Sequence, residues 1–297
     1  MGYLEDLTRI KIAAITALSS DDQLMEELVL KGGNALDLIY GVSARASLDL
    51  DYSTSGALES AEFLRSRIET RLAESFAELG LHVFDLSVEE VPPDLSDDVR
   101  DFWGGYSVEF KLATLEQRRK FASNVEQLRR RAVSVGKKGS PVFRIDISNH
   151  ELTTGRLARM VQGYTVYVYS PEMIVCEKIR AICQQMPEYG EIVHRRRPTS
   201  PRPRDFLDIY VACQNFAIDF NDQEFRRRIA DTFAVKRVPL RLLAKVTDQR
   251  EFHRQGFVAV RDTVKPDFQL QEFDFYFDFL LARIESLEPL WNEQPPA

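Results

Sequence analysis

Leu28-Val29-Leu30-Lys31-Gly32-Gly33-Asn34, running on to Tyr40-Gly41, decides how the rest of the chain is read. Three apolar residues followed by Lys-Gly-Gly describe a short buried strand that ends in a turn. Asn34 through Tyr40 carries a helical pattern, with Gly41 as its C-terminal stop. Ser47-Leu48-Asp49-Leu50-Asp51-Tyr52 then alternates polar and apolar side chains, the signature of a half-buried strand. Two aspartates at i and i+2 of a strand leave the same face with their carboxylates a few ångströms apart. Each raises the other's cost of ionisation, and a divalent cation relieves that cost. Oxygen ligands of this kind suit Mg²⁺ or Mn²⁺. Glycines let the backbone approach a phosphate, and the N–H groups at a helix start attract it. The order strand, Gly32-Gly33, helix, strand, Asp49-x-Asp51 therefore sets an anion cradle beside a metal platform. Such an Asp pair also occurs on solvated strand edges, and a Gly-Gly turn is often only a turn. Their ordered combination within one short segment carries the reading.

Working outward, Leu4, Leu7, Ile12, Ile15 and Leu18 recur near the helical period over residues 3–19. Residues 58–79 form a charged amphipathic helix and 81–88 a strand, and the acidic, Pro-containing segment 91–101 is a loop. Residues 106–112 alternate like a strand. A basic helical stretch follows, carrying Arg118, Arg119, Lys120, Arg129, Arg130 and Arg131. Residues 141–148 and 164–169 return to strand. At Ser170-Pro171-Glu172 the texture changes: a Ser cap, Pro at the first helical position and an acid in the first turn start a helix. Everything beyond reads helical apart from a loop around 187–203. The expected class is thus α+β, with a mixed α/β domain over 1–169 and a helical domain over 170–297.

The chain of 297 residues is 44% hydrophobic and 29% charged, which suits a soluble globular protein with a full core. It has no apolar run of about 18 residues and no signal core at its start, so a cytoplasmic protein is expected. Cys176, Cys183 and Cys213 lack CxxC spacing and read as reduced thiols, and the four histidines offer no HExxH zinc pattern. A formal charge of −7 argues against a protein coated in nucleic acid, although not against one that grips RNA locally. Residues 194–204 concentrate five arginines in a proline-stiffened loop, either solvated surface or a clamp for phosphates. Phe268, Phe273, Phe275, Phe277 and Phe279 continue into Leu280, Leu281, Ile284 and Leu287, which favours core packing over base stacking.

Lys31-Gly32-Gly33-Asn34-Ala35-Leu36 through Gly41, then Arg45-x-Ser47-x-Asp49-Leu50-Asp51, resembles the nucleotidyltransferase toxins of the AbiEii/AbiGii family, within the polymerase-beta-type superfamily. A second block is similar to the family's pattern too: Ser170-Pro171-Glu172, Glu177-Lys178-Ile179-Arg180-Ala181, then Arg204-Asp205-Phe206-Leu207-Asp208. The blocks span residues 28–210. Asn34 stands where the superfamily favours Ser, and Arg204 where the family often has Lys.

The resemblance implies a nucleotidyltransferase-fold lobe with a mixed sheet flanked by helices, followed by a helical lobe that completes the cleft. It implies that Asp49 and Asp51 hold Mg²⁺, with Mn²⁺ as the other choice, against the triphosphate of an NTP substrate. A third carboxylate normally completes such a metal site. Asp146 is expected in that place, on the alternating strand Phe143–Ser148, with Glu109 in reserve. Lys178 is expected to reach nucleotide phosphates, Asp205 to act in catalysis, and Gly32, Gly33, Asn34 and Asp208 to bind nucleotide. Arg45 and Ser47 would brace the metal strand. The implied role is that of a toxin in a type IV toxin–antitoxin or phage-defence system, with a cognate antitoxin encoded nearby. RNA is the expected acceptor, the 3′ end of tRNA first. A protein acceptor and an inactive nucleotide-binding relative are the alternatives.

Overall fold

The computed structural model describes residues 3–45, 47, 49–134 and 140–292. The chain divides into two compact units, each described here by itself. The first comprises Met1–Asn34, Leu48–Ser96 and Gly104–Val168, and the second Ala35–Ser47, Asp97–Trp103 and Tyr169–Ala297.

The first unit contains helices α1 (Tyr3–Ser19), α2 (Asp22–Glu27), α3 (Gly32–Asn34) and α4 (Ala61–Glu78). Its strands are β1 (Val29–Lys31), β2 (Leu50–Ser53), β3 (Leu81–Val91), β4 (Gly105–Thr114), β5 (Val142–Ser148), β6 (Leu157–Val161) and β7 (Tyr164–Val168). Among the described residues these form one seven-stranded mixed sheet in the order β3-β4-β5-β2-β1-β7-β6. Strand β2 runs antiparallel to β1 and parallel to β5. The basic stretch breaks into two short helices, α5 (Leu115–Lys120) and α6 (Val125–Arg130), the first opened by a Thr114–Gln117 capping box.

Alternation fixes the faces. On β5, Phe143, Ile145 and Ile147 are buried while Asp146 and Ser148 are half-buried. On β4, Tyr106, Val108, Phe110 and Leu112 are buried and Ser107 and Glu109 are half-buried. Helix α4 lays Leu64, Ile68, Leu72 and Phe76 at helical spacing into the interior and packs against β3 and α1. Ring contact between Phe76 and Phe110, 5.8 Å between centroids, ties this helix to the sheet. Asp21 caps α2 and binds Arg67 of α4 at 2.8 Å.

The second unit is built on α7 (Pro171–Cys183), α8 (Pro187–Ile192), α9 (Pro203–Asn215), α10 (Gln223–Ala234), α11 (Arg250–Arg254), α12 (Val258–Arg261) and α13 (Phe273–Ile284). Helix α7 starts as the sequence reading expects, with the Ser170 hydroxyl accepting the Met173 N–H and Pro171 in its first turn. Phe273 and Phe277 are buried on Phe206, at 5.3 and 5.2 Å between centroids, which is core packing. Phe275 is instead 45% exposed. Among the described residues no helix is long and apolar enough to cross a membrane.

Three local readings need correction. The strand expected at 47–52 begins only at Leu50, so Asp49 occupies a bend before it, and Leu48 of that alternating run lies outside the described residues. Residues 187–203 include the helix α8, whose Pro187 start supplies a favourable first turn. Strand β6 was not expected; its exposed residues Ala158, Arg159 and Met160 give no buried alternation to read.

Leu72 is fully buried between α1, α4 and the sheet, so Leu72→Ala leaves a cavity. A loss of about 2–5 kcal/mol is expected, read as a lower urea midpoint of unfolding.

Candidate active site

Register places a row of polar residues across four strands. Ser107 of β4 lies opposite Asp146 of β5, Asp146 opposite Asp51 of β2, and Asp51 opposite Lys31 of β1. Residues paired this way leave the same face of a sheet. Two carboxylates therefore stand side by side on adjacent strands, Asp51 with Asp146. Asp49, expected on one strand with Asp51, lies on the bend just before it.

The row is held at both ends. The Ser107 hydroxyl donates to Asp146 Oδ1 at 2.9 Å. Burial raises the Asp146 carboxyl above its ordinary range; the Ser107 hydrogen bond and the charges of Arg144 and Lys31 oppose the rise, and Glu109 adds to it. Lys31 is only 6% exposed and donates to Ser148 Oγ at 3.2 Å, with Glu151 Oε1 at 3.6 Å. Glu109, the reserve acid, sits opposite Arg144 and forms an ion pair with it, so it is taken up by a cross-strand partner.

Gly32 adopts φ +67°, in the left-handed region that glycine tolerates. A Cβ there would lie 2.8 Å from Asp51 Oδ2, so the glycine makes room for the carboxylate. The turn continues through α3 into a π-helical stretch, Ala35–Ile39. Asn34 departs from its expected role in holding nucleotide. It is fully buried, its Oδ1 accepts from Lys11 Nζ at 2.8 Å, and its Nδ2 donates to the Asp49 carbonyl.

In the second unit a different set of charges is brought together. Lys178 Nζ donates to Asp205 Oδ1 and Asp208 Oδ2, both at 2.8 Å. Arg45 binds Asp208 through two nitrogens at 3.0 and 2.7 Å, and Arg202 binds the other oxygen of Asp205. Lys178, Asp205, Asp208 and Arg45 are each 5% exposed or less. Burial alone would raise both carboxyls, but Arg202 and Lys178 outweigh it at Asp205, as Arg45 and Lys178 do at Asp208. Both are held below the ordinary carboxylate range. Burial opposes the Lys178 charge, and the two aspartates overcome this and hold its ammonium above the usual range. The expectation that Lys178 reaches a phosphate thus meets a lysine enclosed by two carboxylates. Asp208, expected on the nucleotide, is enclosed in the same cluster.

The sequence reading missed Lys11, Lys31, Ser107 and Glu151. A lysine on an amphipathic helix or beside a turn looks solvated, and only the pairing of distant strands shows that these are enclosed. The Lys-Gly-Gly spacing was a signal for Lys31; nothing local marked Lys11.

Carboxylate and carbonyl oxygens are the donors that hard divalent cations prefer, and the space that Gly32 leaves open lies at Asp51. Among the described residues no three His, Cys, Asp or Glu side chains stand close enough together to hold a metal ion. Asp51 and Asp146 still fit such a cation, because Mg²⁺ usually takes one or two carboxylates and completes its shell with water and phosphate.

The site thus sets a glycine turn against a strand whose aspartate lies opposite another. The family model described as nucleotidyl transferase AbiEii toxin, type IV TA system, matches residues 15–279, and the chain belongs to that family. No curated protein is a significant match. Among solved structures, the chain is 15% identical to JHP933 from Helicobacter pylori, covering 96% of this chain and 92% of that one with a TM-score of 0.48. It is 17% identical to an antigenic nucleotidyltransferase-like protein from Paracoccidioides brasiliensis, covering 88% and 94% with a TM-score of 0.37.

Two outcomes are expected. Gly32→Ala forces a left-handed alanine, at a cost of about 1–2 kcal/mol, and pushes its methyl into the Asp51 carboxylate. Thermal denaturation should show the loss and a transferase assay a larger one. The second outcome concerns acid. Burial pulls His253 down from 6.5 to about 4, so between these values the unfolded chain carries a proton that the folded chain refuses. Stability should fall as pH drops through that window. It should fall again below about pH 4, where the depressed Asp205 and Asp208 are forced to protonate. Melting temperatures across the acid range check both steps.

Proposed function

We propose that the chain moves a nucleoside monophosphate from an NTP to a hydroxyl of RNA, with the 3′ end of tRNA the first acceptor to test. The observation that carries this is the Asp51–Asp146 pairing beside the Gly32 turn. Asp51 and Asp146 would hold Mg²⁺ or Mn²⁺; Asp49, which does not stand with them as a three-acid group, would reach the cation through its exposed carboxylate. Such a cation, when bound, neutralises charge on the phosphate being transferred. The acceptor oxygen bonds to the α-phosphorus while the bond to the β-phosphate oxygen breaks and pyrophosphate leaves. Asp146 takes the hydroxyl proton.

Lys178, Asp205 and Asp208 act by fixing α7, α9 and the segment that carries Arg45, and that segment leads directly into Asp49. In this reading they are supports in the helical unit, and the chemistry belongs to the α/β unit. A nucleic-acid acceptor is supported by the arginine loop. Arg195 is tied to the Gln184 carbonyl at 2.6 Å and Arg202 to Asp205, while Arg196, Arg197 and Arg204 are exposed to solvent. The toxic step is the disabling of RNA, countered by an antitoxin, and phage defence is the natural setting.

The test incubates the purified chain with Mg²⁺ or Mn²⁺, α-labelled NTPs and total RNA or tRNA. Labelled RNA is expected, abolished by chelation and by Asp49→Ala or Asp51→Asn. Equal labelling by wild type and Asp49→Ala overturns the reading, and labelled protein bands in place of RNA move the acceptor to protein. Replacing Arg196 and Arg197 with Ser should raise the KM for RNA and flatten its salt dependence by a slope of about 1–2.

A further inference from the structure

We infer that Lys11 and Asn34 are positioning residues for Asp49, an inference that rests on the reading of Asp49 as one of the metal-binding acids. Asp49 lies just before the ladder: β2 pairs with β5 from Leu50 onward and with β1 from Asp51 onward. The aspartate is on a bend with an exposed side chain, and its main-chain carbonyl is where Asn34 Nδ2 donates. An amide can present either end to a neighbour, and here the neighbour decides. Lys11 carries an ammonium that can only donate, so it takes the carbonyl end of Asn34 at 2.8 Å. The NH₂ end is thereby forced toward the Asp49 carbonyl. Both residues are enclosed, Lys11 at 3% and Asn34 at 0% exposure.

Burying an ammonium is costly unless it is hydrogen-bonded or paired. This one is placed on α1, 23 residues from its Asn34 partner, where it fixes the amide's orientation. The same geometry removes Asn34 from the nucleotide, because both ends of its amide are engaged and no part of it reaches solvent. A metal-binding acid tolerates little displacement, and residues that orient such groups typically matter about 10–100-fold in metal affinity or activity.

The variant that isolates the idea is Asn34→Asp. It preserves size and leaves Lys11 a partner, but sets an acceptor against the Asp49 carbonyl. Mn²⁺ alone, titrated by electron paramagnetic resonance, is expected to bind about 10–100-fold more weakly, as with Asp49→Ala. In the transferase assay kcat should fall while the KM for the triphosphate stays put. Lys11→Met should act in the same direction and Lys11→Gln, which can still donate, should retain binding. That pair decides the matter if Asn34→Asp melts below the assay temperature. A raised KM with unchanged kcat would make Asn34 a nucleotide ligand and overturn the inference. So would wild-type Mn²⁺ binding by Asn34→Asp, or equal behaviour of the two Lys11 variants, while Asp49→Ala loses the metal. Wild-type binding by Asp49→Ala itself sinks the reading of that acid, and this inference with it.

Discussion

Asp51 and Asp146 face one another on adjacent parallel strands, and strand spacing of about 4.8 Å sets the scale of their repulsion. Two ionised carboxylates on neighbouring strands repel one another. The rest of the α/β unit is arranged around that cost. Ser107 donates on one side, Lys31 supplies positive charge on the other, and Gly32 withdraws its side chain altogether from the Asp51 oxygen. Burial still leaves Asp146 above its ordinary range.

The helical unit solves the opposite problem with the same residue type. Asp205 and Asp208 are more deeply buried than Asp146, yet their carboxyls move down rather than up, because each is bonded to two cationic side chains. Neighbours, not burial alone, decide the direction. Removing one partner from such a cluster leaves a buried charge uncompensated, which costs several kcal/mol. The cluster therefore fixes geometry: it joins α7 to α9 and to the segment ending near Asp49.

That segment gives the motif its architecture. The glycine turn and the aspartates belong to the sheet unit, whereas Ala35–Ser47 between them belongs to the helical one. It is held there by Tyr40 donating to the Tyr169 carbonyl at 2.7 Å, by Lys265 on Asp37 at 2.6 Å and by Arg45 on Asp208. The two ends of the motif thus belong to one core and the segment linking them to another.

Much of this was legible in the chain itself. Alternation in β4 and β5, the Ser170-Pro171 helix start, the Gly32 turn and the phenylalanine core each depend on neighbours within a turn or two, and local patterns record such neighbours faithfully. Gly32, Asp51 and Asp146 could be named as candidates from the glycine turn and the strand alternation, but that Asp51 lies opposite Asp146 is set by the pairing of distant strands. Other features were decided only in three dimensions. Asp49 falls off the strand because the ladder stops at Leu50, and Asn34 turns inward because Lys11 is there to meet it. Lys178 is enclosed by partners 27 and 30 residues away, and Arg45 finds Asp208 across 163. A sequence shows which charges exist and how they repeat, but which of them meet is set by how remote strands and helices pack, because a charge's chemistry depends on the partner it ends beside.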